Sequence, residues 1–293
     1  MRILLLGANG MIGHQLFSYF SGRHETYGTL RGADSLLAEV NKGRVITGVD
    51  VRDFEGLSNI IAAVMPNILL NCTGIVKQIG GKHSVSEQIL LNAMLPHRLA
   101  ELSESMNFKS VTFSSDCVFD GVKGNYTEKD VPNAADIYGA TKALGEANYA
   151  NALTIRTSTV GLELGNKHGL VEWFLSQRGQ IEGFARAIYS GLTTIELARY
   201  VEHILVNYPD LLGLHQAAAE KISKFDLLNM LSEKLGRKDI EIAKNTNFEC
   251  DRSLDGSKLQ SLTQYCVPSW DSMLTSLASQ IEHRRSVGDS NLR

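Results

Sequence analysis

Only four cysteines, Cys72, Cys117, Cys250 and Cys266, occur in 293 residues, and no two form a CxxC pair. That scarcity points to neither a disulfide framework nor a zinc site, and the thiols read as reduced packing residues of a cytoplasmic protein. No apolar run is long enough to cross a bilayer, and the segment Ile3 to Leu6 is too short for a signal peptide. Basic clusters are equally scarce: none exceeds the pair Arg284-Arg285, and the net charge of −3 argues against a nucleic-acid partner. No carboxylate cluster suggests a metal. A Pro- or Gly-rich linker is missing too, so the expectation is one doubly wound domain with an interleaved smaller lobe.

What is present begins at the N-terminus. The run Arg2 to Leu6 is followed by Gly7-Ala8-Asn9-Gly10-Met11-Ile12-Gly13, and then by Leu16, Phe17 and Phe20 at helical period. Strand, phosphate turn and helix are predicted in that order. Gly7 permits the bend, Gly10 lets the backbone approach a pyrophosphate, and Gly13 lets helix pack on strand. Free N–H groups at the helix start hold the anion. Gly7, Asn9, Gly10, Met11, Ile12 and Gly13 are thus cofactor-binding candidates.

Further strands are predicted over Glu25 to Leu30, Val45 to Val49, Ile68 to Thr73, Val111 to Ser115 and Thr154 to Thr157, with helical patterns between them. This alternation implies an α/β, Rossmann-type parallel sheet covered on both faces. Thr193 to Val206 and Gly213 to Gln216 read as a helix and a strand returning to it.

The strand ending in Ser114-Ser115-Asp116-Cys117 delivers hydroxyls to the carboxyl edge of the sheet, where the glycine turn also lies. Downstream, Tyr138 and Lys142 in YGATKALGE stand four residues apart, on one face of a helix. Together these residues suit carbonyl reduction, in which charge growing on oxygen must be met by a proton and fixed donors. Tyr138 supplies the proton, Ser115 donates a hydrogen bond to the same oxygen, and Lys142 lowers the phenol from its ordinary value of about 10. Ser114 takes the place of Ser115 if the register is shifted by one.

The motifs GANGMIG, FSSDCVFDG, Asn125-Tyr126-Thr127-Glu128, IYGATKALGE and LTIRTSTVG resemble, over nearly the whole chain, the extended short-chain dehydrogenase/reductases. Among these they are most similar to the dTDP-4-dehydrorhamnose reductase family of nucleotide-sugar 4-ketoreductases. The resemblance implies a dinucleotide-binding part over 1–160 with 192–218 returning to it, and a substrate lobe from 161–191 and 219–283. Residues 284–293 are expected to form a frayed tail. The stretches Val171 to Gln177, Ile181 to Tyr189, the helix candidate Ser223 to Leu235 and the run Ile240 to Leu254 build that lobe.

The resemblance also implies that Lys142 holds the nicotinamide ribose. It brings Asp50 and Val51 to the adenine, and Cys72, Thr73 and Gly74 past the nicotinamide ribose; Asp53 is as well read as a helix cap. No acid ends the second strand, and Arg31 there suits a 2′-phosphate or stacks on adenine, so NADPH is favoured with NADH as the alternative. Lys77, Gln78 and Asp116 are carried over as sugar-side residues and Arg252 as the diphosphate ligand. Trp173, Phe184 and Tyr189 line the sugar or base pocket or belong to the core.

The implied reaction is NAD(P)H-dependent reduction of a 4-keto-6-deoxy nucleotide sugar in polysaccharide precursor synthesis, by a monomer or homodimer. A 4,6-dehydratase needs a carboxyl where Cys117 stands, and is disfavoured. An epimerase-reductase of the GDP-fucose synthase type would draw on Cys117 and His168. A non-catalytic NADP-binding regulatory subunit would need none of the catalytic residues.

Overall fold

The computed structural model describes residues 1–32, 44–165 and 168–286, apart from the side chain of Gln78. Strands β1 (Arg2–Leu6), β2 (Glu25–Thr29), β3 (Val45–Ile46), β4 (Ile68–Asn71), β5 (Lys109–Ser115) and β6 (Ala152–Thr157) join a late strand, β10 (Gly213–Gln216), in one sheet. Its order is β10-β6-β5-β4-β1-β2-β3, and every pairing is parallel. Parallel strands must be covered on both faces, and the sequence provides for this: Ile3 to Leu6, Leu69 and Leu70 have no exposed surface. Each buried leucine contributes about 1.5–3 kcal/mol.

Helices α1 (Met11–Ser21), α2 (Phe54–Val64) and α3 separate the first strands. The last of these has three parts: an α-helical turn Val85–Gln88, a π turn Ile89–Met94 and a regular stretch Leu95–Ser105. Helix α4 (Ile137–Leu144) lies between β5 and β6. Strand order reverses at β1, which has β2 on one side and β4 on the other, so a crevice opens at their carboxyl ends.

A second sheet has the order β11-β8-β12, from β8 (Gly179–Tyr189), β11 (Ile222–Ser223) and β12 (Ile240–Asp251). Beside it lie α5 (Leu170–Ser176) and α7 (Lys224–Lys234), while β7 (Thr159–Val160) and β9 (Leu192–Thr193) form a two-stranded ladder. Helix α6 (Thr194–Asn207) packs on α1, and α8 (Ser257–Thr263) precedes the closing helix α9 (Trp270–Ser286). Among the described residues no helix is long and apolar enough to cross a membrane.

Three expectations need correction. The third strand stops at Ile46 rather than Val49, because Gly48 turns the chain with a φ of 75°. The fourth stops at Asn71, whose side-chain oxygen accepts from both the N–H and the hydroxyl of Thr73, a local turn that replaces sheet pairing. Residues 284–286 are helical rather than frayed, because Arg284 reaches the buried carboxylate of Glu172 at 2.6 Å. Residues 287–293 lie outside the described residues.

Candidate active site

The glycine turn is built by exclusion. A Cβ on Gly13 would stand 2.0 Å from the carbonyl oxygen of Gly7, so α1 can lie this close to the end of β1 only with glycine there. Gly7 itself has a φ of 75°, and a Cβ on it would press on Thr73 Cγ2 and the Cys72 carbonyl at 3.0 and 3.3 Å. The turn after β1 and the loop after β4 are therefore in contact. Gly10 is the N-cap of α1 and offers no side-chain cap, which leaves the first helical N–H groups free for an anion. Asn9, Met11 and Ile12 complete this turn; Ile12 also packs against the core.

Catalytic candidates gather at the carboxyl end of β5. Asp136 caps α4 by accepting from Gly139 N–H at 3.0 Å, which fixes the first turn carrying Tyr138. One turn on, the Lys142 ammonium is buried and donates to the Phe113 carbonyl at 2.5 Å. Burial depresses Lys142 to about 8, while Glu146 and Cys72 act in the opposite sense. Cys72, and with it the loop against Gly7, thus adjoins the lysine. Burial raises the Tyr138 phenol well above its ordinary value, the reverse of the lowering by Lys142 that the sequence predicts; Cys117 adds to the rise and the neighbouring Ser115 hydroxyl works against it.

The two serines part company. Ser114 gives its hydroxyl to Glu146 at 2.6 Å, whereas Ser115 donates to Asp116 at 3.1 Å and faces Tyr138. Alternation along a strand puts neighbours on opposite faces, so Ser115 is the one presented with the phenol. On the same side, burial raises the Asp116 carboxyl and pushes the Cys117 thiol up to about 12.

Tyr189, at the end of β8, is 6% exposed, and its hydroxyl has no hydrogen-bond partner among the described residues. The field of Asp116 reaches that phenol, so both groups face one space. Arg252 follows β12; its guanidinium donates to the Phe119 carbonyl at 2.9 Å and lies within the fields of Asp116 and Asp136. Lys77 pairs with Asp136 at 2.8 Å, at the start of α4. The Gln78 side chain lies outside the described residues.

Other candidates stand differently. Asp50 is held well below the usual carboxylate range by Arg52, which binds it at 2.5 Å and reaches Glu87 at 3.2 Å. An adenine contact there would compete with that ion pair. Val51 packs in the cluster under β1 and β4, and Asp53 caps α2 through Gly56 N–H. Arg31 is exposed, with its charge felt at Asp50. Trp173 on α5 bonds through its carbonyl to Ser176, and the Phe184 ring meets Phe248 at 5.4 Å; neither joins the network around Ser115 and Tyr138. His168 is exposed in the loop before α5.

Sequence reasoning missed Asn92. Its amide accepts from Ile75 N–H at 2.9 Å, donates to the Ile75 carbonyl at 3.0 Å and reaches Thr141 at 3.3 Å, joining the loop after β4 to α4. The signal was a lone asparagine in the apolar run Ile89 to Leu95, but the π turn that aims it has no sequence signature.

Expected pH dependence follows from Lys142. Its ammonium is complete below about 8 and is lost as pH rises through that value. Binding of any ligand that this ammonium holds, and any turnover that depends on it, should therefore fall on the basic side of about pH 8. Titrations and initial rates across pH check this; profiles flat well above that value would contradict it.

Among relatives, the rat (Rattus norvegicus) protein "Methionine adenosyltransferase 2 subunit beta" is 27% identical over 147 residues, 50% of this chain and 41% of the relative. The chain thus spans less than half the length of that protein. The "dTDP-4-dehydrorhamnose reductase" of Aggregatibacter actinomycetemcomitans is 25% identical over 254 residues, 82% of this chain and 81% of the relative. The crystal structure of dTDP-4-dehydrorhamnose reductase from Bacillus anthracis str. Ames in complex with NADP has a TM-score of 0.79 at 20% identity, covering 95% of this chain and 99% of that one. L-threonine 3-dehydrogenase from Trypanosoma brucei gives 0.82 at 15% identity, covering 97% and 98%. At such identities the structures speak for a shared fold. The family model described as "RmlD substrate binding domain" matches residues 1–281, and the chain therefore belongs to that family.

Proposed function

We propose that the chain reduces the ketone of a nucleotide-linked 4-keto-6-deoxy sugar with NADPH, in the manner of a dTDP-4-dehydrorhamnose reductase. The observation that carries the reading is that Ser115 faces Tyr138 at the end of β5, while Lys142, one turn further along α4, is buried on the Phe113 carbonyl of the same strand and beside Cys72 of the loop that touches the glycine turn. The relative from Aggregatibacter and the NADP-bound Bacillus structure support the same reaction class.

The residues fit a dinucleotide. Gly7 and Gly13 make the close turn, the uncapped start of α1 would take the pyrophosphate, and Cys72 to Gly74 would lie along the nicotinamide ribose. When bound, the cofactor supplies the hydride. Lys142, now on the Phe113 carbonyl, would hold the ribose hydroxyls. Ser115 donates a hydrogen bond to the ketone oxygen, and Tyr138 gives that oxygen its proton. A phenol raised by burial suits this direction: it keeps its proton at neutral pH until charge develops on the oxygen it faces. Asp116, Lys77 and the Tyr189 hydroxyl, unpartnered among the described residues, hold sugar hydroxyls, and Arg252 meets the diphosphate.

Arg31 should set the coenzyme preference. Arg31→Ala is expected to weaken NADPH about tenfold or more by removing a charge-assisted contact to the 2′-phosphate, while NADH affinity stays nearly unchanged. Fluorescence titration with both coenzymes reads this, and equal losses for the two would contradict it.

Two other readings have specific observations behind them. The match to a methionine adenosyltransferase subunit favours a cofactor-binding regulatory subunit. Cys117 beside Tyr138 favours an epimerase-reductase, but a thiol pushed up to about 12 is a poor base, and His168 is exposed. The deciding experiment follows loss of nicotinamide absorbance with a panel of dTDP-, UDP- and GDP-linked 4-keto-6-deoxy sugars. Turnover of one nucleotide class supports the reductase. Tight NADPH binding without turnover supports the subunit.

A further inference from the structure

Beneath the site lies a buried ion pair to which the reduction assigns no part. Arg156, on β6, is 2% exposed and Glu146 6% by side chain; the guanidinium holds the carboxylate at 2.7 Å through Nε and 2.6 Å through its terminal nitrogen. Arg156 also lies 5.1 Å from the Phe119 ring centroid. The same carboxylate accepts from Ser114 at 2.6 Å. Ser114 and Arg156 are register partners on β5 and β6, so both point to one face and converge on Glu146.

Glu146 reaches this position by leaving the catalytic helix. Helix α4 ends at Leu144, and Gly145 packs so closely on α3 that a Cβ there would lie 2.0 Å from the Asn92 carbonyl oxygen. Glu146 then turns under the sheet, one helical turn beyond Lys142. Two neighbours of Ser114 thereby become linked through it: Phe113, whose carbonyl holds the lysine, and Ser115, which faces Tyr138.

We infer that Glu146 is a positioning residue for the proposed reduction: clasped by Arg156 and Ser114, its carboxylate fixes the end of β5 to the catalytic helix and sets Lys142 in place for the nicotinamide ribose. Stability alone is a weak reason for such a pair, since desolvation can outweigh the attraction between its charges, and apolar replacements are often as stable. Its location offers a better one. Among the described residues, the ionisable groups acting on Lys142 are Glu146 from the helix end and Cys72 from the loop after β4, and Glu146 is the stronger. The carboxylate opposes the burial that would strip the lysine of its proton.

The inference rests on Lys142 serving as the ribose ligand, and the test therefore reads NADPH binding, which needs no sugar substrate. Two variants are compared with the wild type: Glu146→Gln, and Glu146→Gln with Arg156→Met, which removes the buried guanidinium so that no unpaired charge remains. Circular dichroism checks folding, and fluorescence titration gives NADPH affinity from acid to alkaline pH. In the double variant the basic limb of the binding profile is expected to move to lower pH by about one unit, with affinity on the acid side nearly retained. Glu146→Asp, which keeps the charge, should restore the limb. A limb unmoved in the folded double variant, whether affinity is kept or lost equally at every pH, overturns the inference by reducing Glu146 to a structural prop. Failure of the reductase reading would show separately, as normal NADPH binding by the wild type without turnover of any sugar.

Discussion

Tyr138→Phe is expected to lower kcat by about a hundredfold to ten-thousandfold, the range in which a positioned general acid acts, while NADPH affinity stays within a small factor of the wild type. The substitution removes one oxygen and leaves the ring that fills its half-buried place on α4. Ser115 would still donate to the ketone, so the residual rate measures what oxygen stabilisation contributes without proton delivery. The split between kcat and coenzyme affinity matters, because a defect of packing would lower both. Rapid-mixing measurement of a single turnover reads the chemical step directly. A rate unchanged by the loss of the hydroxyl would remove Tyr138 from the mechanism.

Gly13→Ala has the second large expected effect, on the cofactor and the fold together. The added methyl would meet the Gly7 carbonyl oxygen at 2.0 Å and its carbon at 3.0 Å. Both atoms are backbone, so either α1 lifts from β1 or the turn at Gly7 opens. Overpacking of this kind costs about 1–3 kcal/mol. Loss of the same size in coenzyme binding corresponds to roughly a hundredfold at the upper end. Gly10→Ala is the informative companion: its Cβ would stand 3.5 Å from the nearest atom, an ordinary contact, so the chain should keep its stability and lose only NADPH affinity. Thermal melts with and without NADPH separate the two effects. Equal behaviour of the two variants would mean that Gly13 has no special packing role.

Much of the main sheet was legible because its strands are short, continuously apolar and punctuated by helical periods, which is the pattern that burial on both faces imposes. Gly7 and Gly13 were readable for a related reason: each sits where a side chain would strike the backbone opposite or strain its own, whereas Gly10 stands as the N-cap with room for a Cβ. The second sheet was harder. Its long strand β8 alternates buried and exposed residues, whereas β12 has no fully buried residue and an irregularity between Asn245 and Glu249, and pairing across more than fifty residues leaves no local trace. Arg156 could have been suspected, since a charged residue inside the apolar strand LTIRTS must find a partner, but nothing in the sequence points to Glu146 as that partner. The π turn that aims Asn92 was likewise invisible, because the residues of that turn suit an ordinary helix.

The contrast between Ser114 and Ser115 lies below the resolution of the motif itself. One residue of register separates a hydroxyl spent on a buried carboxylate from one that meets the phenol. Asp50 is a similar case: its position after β3 is where the resemblance places an adenine contact, yet Arg52 already occupies the carboxylate.

The most direct measurement is transfer of the isotope from NADPH deuterated at the nicotinamide C4 to dTDP-4-dehydrorhamnose, followed by proton NMR of the sugar. Deuterium at C4 of the product with the wild type, and none with Tyr138→Phe on the same timescale, is the predicted result. Tight NADPH binding with no deuterium transferred to this or any UDP- or GDP-linked 4-keto sugar would contradict the reductase and leave a cofactor-binding protein.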